Sequence, residues 1–75
     1  MKELVEVIAK ALVSHPEAVV VTEKTVNDEI ILTLSVDPSD MGKVIGKQGR
    51  IAKAIRTVLK AQAIRDDVRV SLDID

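Results

Sequence analysis

The 75-residue chain contains no cysteine and no phenylalanine, tyrosine or tryptophan. The absence of cysteine excludes disulfide bonds and thiolate chemistry. Without aromatic rings the core has to be aliphatic, and the chain supplies 12 Val, 8 Ile and 6 Leu for it. The chain also lacks an apolar run of about 20 residues and a signal-peptide pattern, so we expect a cytoplasmic protein with no membrane partner.

Acidic residues are missing from one third of the chain. Residues 41–65 contain seven Lys and Arg and no Asp or Glu, a local charge of +7 within a chain of net charge −1. A solvated helix face is the simplest interpretation of a run of charges. Such faces, however, usually contain charges of both signs, which form stabilising ion pairs between residues four positions apart. Complete segregation of the charges therefore favours a polyanionic partner.

The spacing of apolar residues predicts three helices, over residues 2–14, 38–45 and about 50–64. The pair His15-Pro16 ends the first helix, because a residue before proline is pushed out of the α region. Asp37 is expected to cap the second helix, and Asp40 falls where the reciprocal acid of a capping box sits. His15 is the only histidine and has no acidic or nucleophilic neighbour in the sequence. It is interpreted as a boundary residue and not as a catalytic one.

Three strands are predicted: a β-branched run indicates one over residues 18–24, and alternating apolar and polar residues indicate two more over residues 29–36 and 68–74. The first two flank the turn-forming pair Asn27-Asp28 and should form an antiparallel hairpin. The order of elements is then α-β-β-α-α-β. Two helices join the last two strands, so a right-handed crossover makes those strands parallel. We therefore expect an α+β fold in a single domain over residues 1–75, with a three-stranded mixed sheet and three helices packed on one face.

The stretch Val44-Ile45-Gly46-Lys47-Gln48-Gly49-Arg50-Ile51 joins the second and third predicted helices. Glycine allows the backbone to turn sharply and a ligand to approach closely. The N-terminus of the following helix favours an anion, and the basic residues around it add charge. This combination predicts phosphate binding. Two glycines three apart also occur by chance, so a helix C-cap followed by a plain helix–helix turn is the structural alternative.

Those eight residues resemble the signature of the KH domain, in which an aliphatic pair precedes G-x-x-G and an aliphatic residue follows it. The order of elements is similar to the type II, prokaryotic arrangement. The resemblance covers nearly the whole chain and extends to the small stand-alone bacterial KH proteins of the KhpA type. It implies a protein that binds single-stranded RNA, a post-transcriptional regulator or RNA chaperone whose loop clamps about four nucleotides. Neither the residues nor the resemblance points to a cofactor or a bound metal.

The resemblance implies an RNA-binding site made of Lys43, Gly46, Lys47, Gln48, Gly49, Arg50, Ile51 and Lys53. The two glycines would allow close backbone approach, and Lys47 and Gln48 would contact phosphates or sugars. Arg50 and Lys53 would extend the charge along the helix. Bases would lie in an aliphatic groove between these helices and the neighbouring strand, because no aromatic side chain is present for stacking. The short connection after the third helix leads us to expect weak sequence discrimination.

The resemblance also implies protein partners, through self-association to a homodimer and pairing with a larger Jag-type KH protein. An interaction module that keeps the KH fold but binds little RNA is the main alternative function. An enzyme is the other. The segment from Gly42 to Lys47 superficially resembles a Walker loop, but its glycines are one residue too close and Gln48 stands where Ser or Thr is required. With no cluster of His, Cys or paired carboxylates, we expect no enzymatic activity.

Overall fold

The computed structural model describes residues 1–75. It contains α1 (Lys2–Leu12), β1 (Val20–Val26), β2 (Glu29–Ser35), α2 (Met41–Ile45), α3 (Arg50–Arg65) and β3 (Arg69–Ile74). Single 3₁₀ turns occupy Pro16–Ala18, Pro38–Asp40 and Lys47–Gly49. The predicted α-β-β-α-α-β order is confirmed. None of the helices is long and apolar enough to span a lipid bilayer.

The three strands form one mixed sheet in the order β1-β2-β3. β1 runs antiparallel to β2, and the turn between them contains Asn27 and Asp28, both with positive φ. β3 runs parallel to β2, with Leu72 beside Leu32. The helices between β2 and β3 supply the crossover that parallel strands require. The predicted mixed sheet is therefore confirmed.

The core is aliphatic, as the composition predicts. Its largest cluster consists of Val5, Ala9, Val19, Val21, Leu32, Leu34, Val36, Val44, Ile55, Leu59 and Leu72. Leu32 and Leu34, on the central strand, are completely buried, and so is Val44 on α2. Because α2 and α3 both bury apolar side chains in this cluster, their packing fixes the position of the loop that joins them.

Three elements differ from their predicted bounds by two residues or more: α1, β1 and α2, which begins at Met41 because Pro38–Asp40 form a 3₁₀ turn. α1 ends at Leu12, two residues earlier than expected. The N–H groups of Ser14 and His15 donate to the side chain of Asp40, so they are satisfied without a further helical turn. β1 begins two residues later than expected, because Pro16–Ala18 form a 3₁₀ turn.

The capping prediction is right for Asp37 and wrong for Asp40. The Asp37 carboxylate accepts hydrogen bonds from the N–H (2.9 Å) and the hydroxyl (2.7 Å) of Ser39. The Asp40 side chain is only 1% exposed and turns towards the segment that follows α1. A contact with residues 25 and 26 positions away in the sequence therefore replaces the local cap.

Candidate nucleic-acid interface

The loop between α2 and α3 is shaped by two glycines with positive φ. Gly46 ends α2 with φ 76° and ψ 174°, in a region that is essentially restricted to glycine. Gly49 precedes α3 with φ 75° and ψ 14°, in the left-handed helical region. Gln48 is also left-handed, with φ 58° and ψ 25°. Gly46 is thus a C-cap, and a binding role for the loop depends on what surrounds it.

The two glycines differ in their surroundings. A Cβ placed on Gly46 would lie 2.6 to 2.9 Å from three side-chain carbons of Ile51. A Cβ placed on Gly49 would meet no atom within 4 Å. Ile51 itself is half-buried and packs against the core. Gly46 therefore allows the close packing of the loop on Ile51, whereas Gly49 leaves one side of the loop open to a ligand.

The cations nearest this open side are exposed and unpaired. Lys47, Arg50 and Lys53 make no ion pair, since both ion pairs in the structure involve Asp40. α3 begins at Arg50, whose N–H donates to the carbonyl of Lys47, and no side chain caps the N-terminus of the helix. The positive end of this 16-residue helix favours an anion at the same place. Together, the exposed cations and the helix start form a surface suited to phosphate.

Lys43 differs from the other cations of the predicted site because it already has a partner. Its Nζ lies 3.3 Å from Oδ1 of Asp40 and donates to the hydroxyl of Ser14. Asp40 also accepts hydrogen bonds from the N–H groups of Ser14 and His15, at 3.1 and 3.0 Å. Burial disfavours the ionised carboxyl, but the hydrogen bonds from these residues outweigh it and lower the pKa of Asp40 to about 2. The charge of Lys43 is balanced here, so it adds less to an anion site than Lys47 does.

His15 belongs to the same cluster, which the sequence analysis did not foresee. Its Nδ1 lies 3.1 Å from Oδ2 of Asp40. The hydroxyl of Ser14 is bonded by Lys43 and not by His15, so the base–nucleophile contact of a Ser-His-Asp relay is not formed. No group of three or more His, Cys, Asp or Glu is placed to hold a metal ion. The cluster instead ties the end of α1 to the start of α2.

We expect the pH dependence of stability to report this cluster. The hydrogen bond to Asp40, followed by the charge of Asp37, raises the pKa of His15 above 6.5. The resulting stability is complete below pH 6.5 and is lost as the pH rises through the folded-state pKa of His15. The pKa of Asp40 is lowered from 3.8 to about 2, so its contribution is present above pH 3.8 and is lost as the pH falls through 2.

The measurement is the urea midpoint of the wild-type protein and of His15→Gln between pH 5 and pH 9. The wild type should lose more stability than the variant over this range, and the two curves should converge at the alkaline end. Parallel curves would contradict the coupling of His15 to Asp40.

A partly apolar groove of about 560 Å³ lies between α3 and β3, from Arg56 onwards along α3, and no residue of α2 or of the loop lines it. Its lining consists of Glu29, Arg56, Leu59, Lys60, Ala63, Ile64, Val68, Arg69, Val70, Ser71 and Leu72. Arg56 crosses from α3 to β3, where its Nε and Nη2 donate to the carbonyl of Leu72 at 3.2 and 3.1 Å. Arg56 and Lys60 were not among the predicted site residues. The signal that could have found them is their position in the acid-free segment.

The chain is similar to known proteins over nearly its whole length. Residues 2–74 match the family model described as "KhpA/KhpB, KH domain". A protein named RNA-binding protein KhpA, from Clostridium perfringens, is 64% identical over 74 residues, which cover 99% of each chain. Proteins of the same name from Clostridium acetobutylicum and Listeria monocytogenes are 61% and 50% identical, over 99% of this chain and 99% and 97% of theirs. With a match of this extent, the chain belongs to the KhpA/KhpB family of KH domains.

Proposed function

We propose that this protein binds single-stranded RNA through the loop Gly46–Gly49 and the start of α3. It acts in the cytoplasm as a post-transcriptional regulator or RNA chaperone, with residues 1–75 as a single KH domain. One observation carries the proposal: Lys47 and Gln48 are exposed between two positive-φ glycines, beside the uncapped start of α3. The name RNA-binding protein KhpA, given to the Clostridium perfringens relative, supports it.

The open side of Gly49 is where the RNA backbone comes closest. Because no atom lies within 4 Å of the Cβ position, a phosphate can approach the backbone at the positive end of α3. Lys47 and Gln48 contact the adjacent phosphates or sugars. Arg50 and Lys53 continue the positive surface along α3. The bases then lie in the groove between α3 and β3, against apolar walls.

Ile51 and Lys43 have supporting parts in this arrangement. Ile51 packs beneath the loop, so it holds the loop in place while the exposed part of its side chain meets the ligand. Lys43 lies on α2 at the far side of the loop, where Asp40 balances its charge. Its contribution to affinity is therefore smaller than that of Lys47.

RNA affinity should fall steeply with salt. With three or four phosphates engaged, log K should decrease against log salt with a slope of about −2 to −3, since each phosphate of a single strand contributes about −0.7. The measurement uses a labelled eight-nucleotide RNA in filter binding or fluorescence anisotropy, because the protein has no Trp or Tyr. An affinity that is constant between low and high salt would contradict phosphate binding and favour the interaction module that binds little RNA.

We further propose that the protein forms homodimers and pairs with a larger Jag-type KH protein. Apolar side chains outside the groove are exposed on two helices: Val7 on α1 (67% exposed) and Val58 on α3 (47%). A domain of this size buries a smaller fraction of its surface than a large one. Covering these side chains with a second chain therefore adds hydrophobic stabilisation that the isolated domain lacks.

Sedimentation equilibrium over a concentration series tests the homodimer. The mean mass should rise above the 8.2 kDa of one chain as the concentration reaches the high micromolar range. Replacing Val58 with Lys should move this rise to higher concentration. A mass of one chain at every concentration would refute the homodimer.

A further inference from the structure

We propose that Arg56 sets base specificity in the groove between α3 and β3, by selecting bases that present two adjacent hydrogen-bond acceptors. Cytosine and guanine are the RNA bases of this kind. The inference rests on the proposed RNA binding and deepens it. Contacts of the loop with phosphates position the RNA but carry no sequence information. Discrimination between bases therefore has to come from the groove.

Arg56 is held in one orientation by the backbone of β3. β3 is an edge strand, and on its outer side the carbonyl of Leu72 accepts from both Nε and Nη2 of Arg56, at 3.2 and 3.1 Å. A guanidinium carries five N–H donors in a rigid planar fork. Two are used on Leu72, so three remain. Two of these three, one on each terminal nitrogen, are parallel and point away from Leu72.

The remaining donors of Arg56 are free to bind a ligand. The only acidic side chain that lines the groove is Glu29, and it makes no ion pair with Arg56. The walls beside the guanidinium are largely apolar, with Leu59 on α3 and Val70 on β3. Arg56 is an exposed residue, so a base can reach these donors. The groove thus offers an oriented, charged pair of donors next to apolar surface that a base can cover.

Two parallel donors match only some base edges. Guanine presents O6 and N7 as adjacent acceptors, which is the usual partner of an arginine fork. Cytosine presents O2 and N3 in the same way on its pairing edge. In adenine N7 and N1 each lie beside the N6 amino donor, and in uracil the N3 donor separates the two carbonyls. Arg56 therefore favours cytosine and guanine over adenine and uracil.

The test compares labelled eight-nucleotide RNAs on the wild-type protein. Oligo(C), and a uracil oligomer with guanine at alternate positions, should bind about tenfold more tightly than oligo(U), while oligo(A) should resemble oligo(U). Arg56→Lys keeps the charge and loses the fork. It should bring oligo(C) to the level of oligo(U) and change the affinity for oligo(U) by less than about twofold.

Lys60→Ala is the matched control, because Lys60 lines the same groove and makes no hydrogen bond there. It should keep the preference for oligo(C). Equal wild-type affinity for oligo(C) and oligo(U), or a preference that persists in Arg56→Lys, would overturn the inference. The inference would also be overturned if Arg56→Lys lost the same factor of affinity for every RNA and its salt dependence became less steep. That result would mark Arg56 as a phosphate contact.

Failure of the inference is distinguishable from failure of the proposed function. Replacing Lys47 and Gln48 with Asp tests the loop, and it should reduce binding to every oligomer alike. If that variant binds normally, the loop site is wrong. The ratio of the affinities for oligo(C) and oligo(U) reports the role of Arg56 whether or not the loop site is right. In the wild-type protein this ratio can be measured without depending on the folding of a variant.

Discussion

Replacing Lys47 and Gln48 together with Asp is expected to lower RNA affinity more than tenfold and to leave the fold intact. Both side chains are exposed, and surface substitutions usually change stability by no more than about 0.5 kcal/mol. The φ of 58° at Gln48 is one that Asp adopts more readily than most residues. For the ligand, however, one cation becomes two anions where a phosphate should lie.

The size of the loss follows from the distance between the like charges. Two like charges about 4 Å apart repel by roughly 4 kcal/mol at an effective dielectric constant of 20, before salt screening. Half of this value still lowers affinity by more than tenfold. Lys24→Asp with Thr25→Asp, on the exposed part of β1, makes the same charge change away from the loop and should retain most binding. Circular dichroism and thermal melting should resemble wild type for both double variants.

Three outcomes would contradict the proposal. If the loop variant unfolds, the loop is structural in a manner that the exposure of its side chains does not indicate. If it stays folded and binds RNA as well as the wild type, the site lies elsewhere. Equal losses in both double variants would indicate a general charge effect instead of a contact.

Replacing Gly46 with Ala should destabilise the protein much more than replacing Gly49 with Ala. Gly46 has backbone angles reserved for glycine, with a strain of about 1–3 kcal/mol for other residues. Its Cβ would also overlap Ile51, and overpacking of this kind adds about 1–3 kcal/mol. Gly49 has only the left-handed strain of about 1–2 kcal/mol, with open space around it.

Urea unfolding of the two single variants measures this difference. The Gly46→Ala variant should show the larger drop in midpoint, with RNA binding lost because the loop is displaced. The Gly49→Ala variant should fold and bind RNA less tightly, since its methyl group would occupy the open side where we propose that the RNA backbone lies. Equal unfolding midpoints would show that Ile51 moves aside without cost, against the packing described here.

The fold was predictable where it depends on local patterns. The alternation from Glu29 to Ser35 identifies β2, and two helices between β2 and β3 fix their parallel pairing. Glycine chemistry identifies the turn at Gly46 for a similar reason, because its backbone angles are accessible to few other residues. These features arise from neighbours in the sequence, so the sequence shows them directly.

Features that depend on distant residues were not predictable. Asp40 follows a capping pattern, yet its carboxylate bonds Ser14 and His15, which are 26 and 25 positions away. Arg56 looks like a solvated helix residue, but it bonds a carbonyl 16 positions later. For Asp40 the tertiary hydrogen bonds compete with a local helix cap, and for Arg56 they compete with hydration of the side chain. No spacing rule in the sequence reveals which of the competing interactions is stronger.

The parallel pairing of β3 with β2 also sets an order of folding during synthesis. α1 and the β1–β2 hairpin involve contacts within the first 35 residues, and such local contacts form early and quickly. β3 can join β2 only after residues 36–68 have left the ribosome and folded back. Because chains fold from the N-terminus as they emerge, the wall of the groove that β3 provides is the last to be added. A chain in which β3 has not yet docked therefore presents the loop and its cations but lacks the β3 wall of the groove.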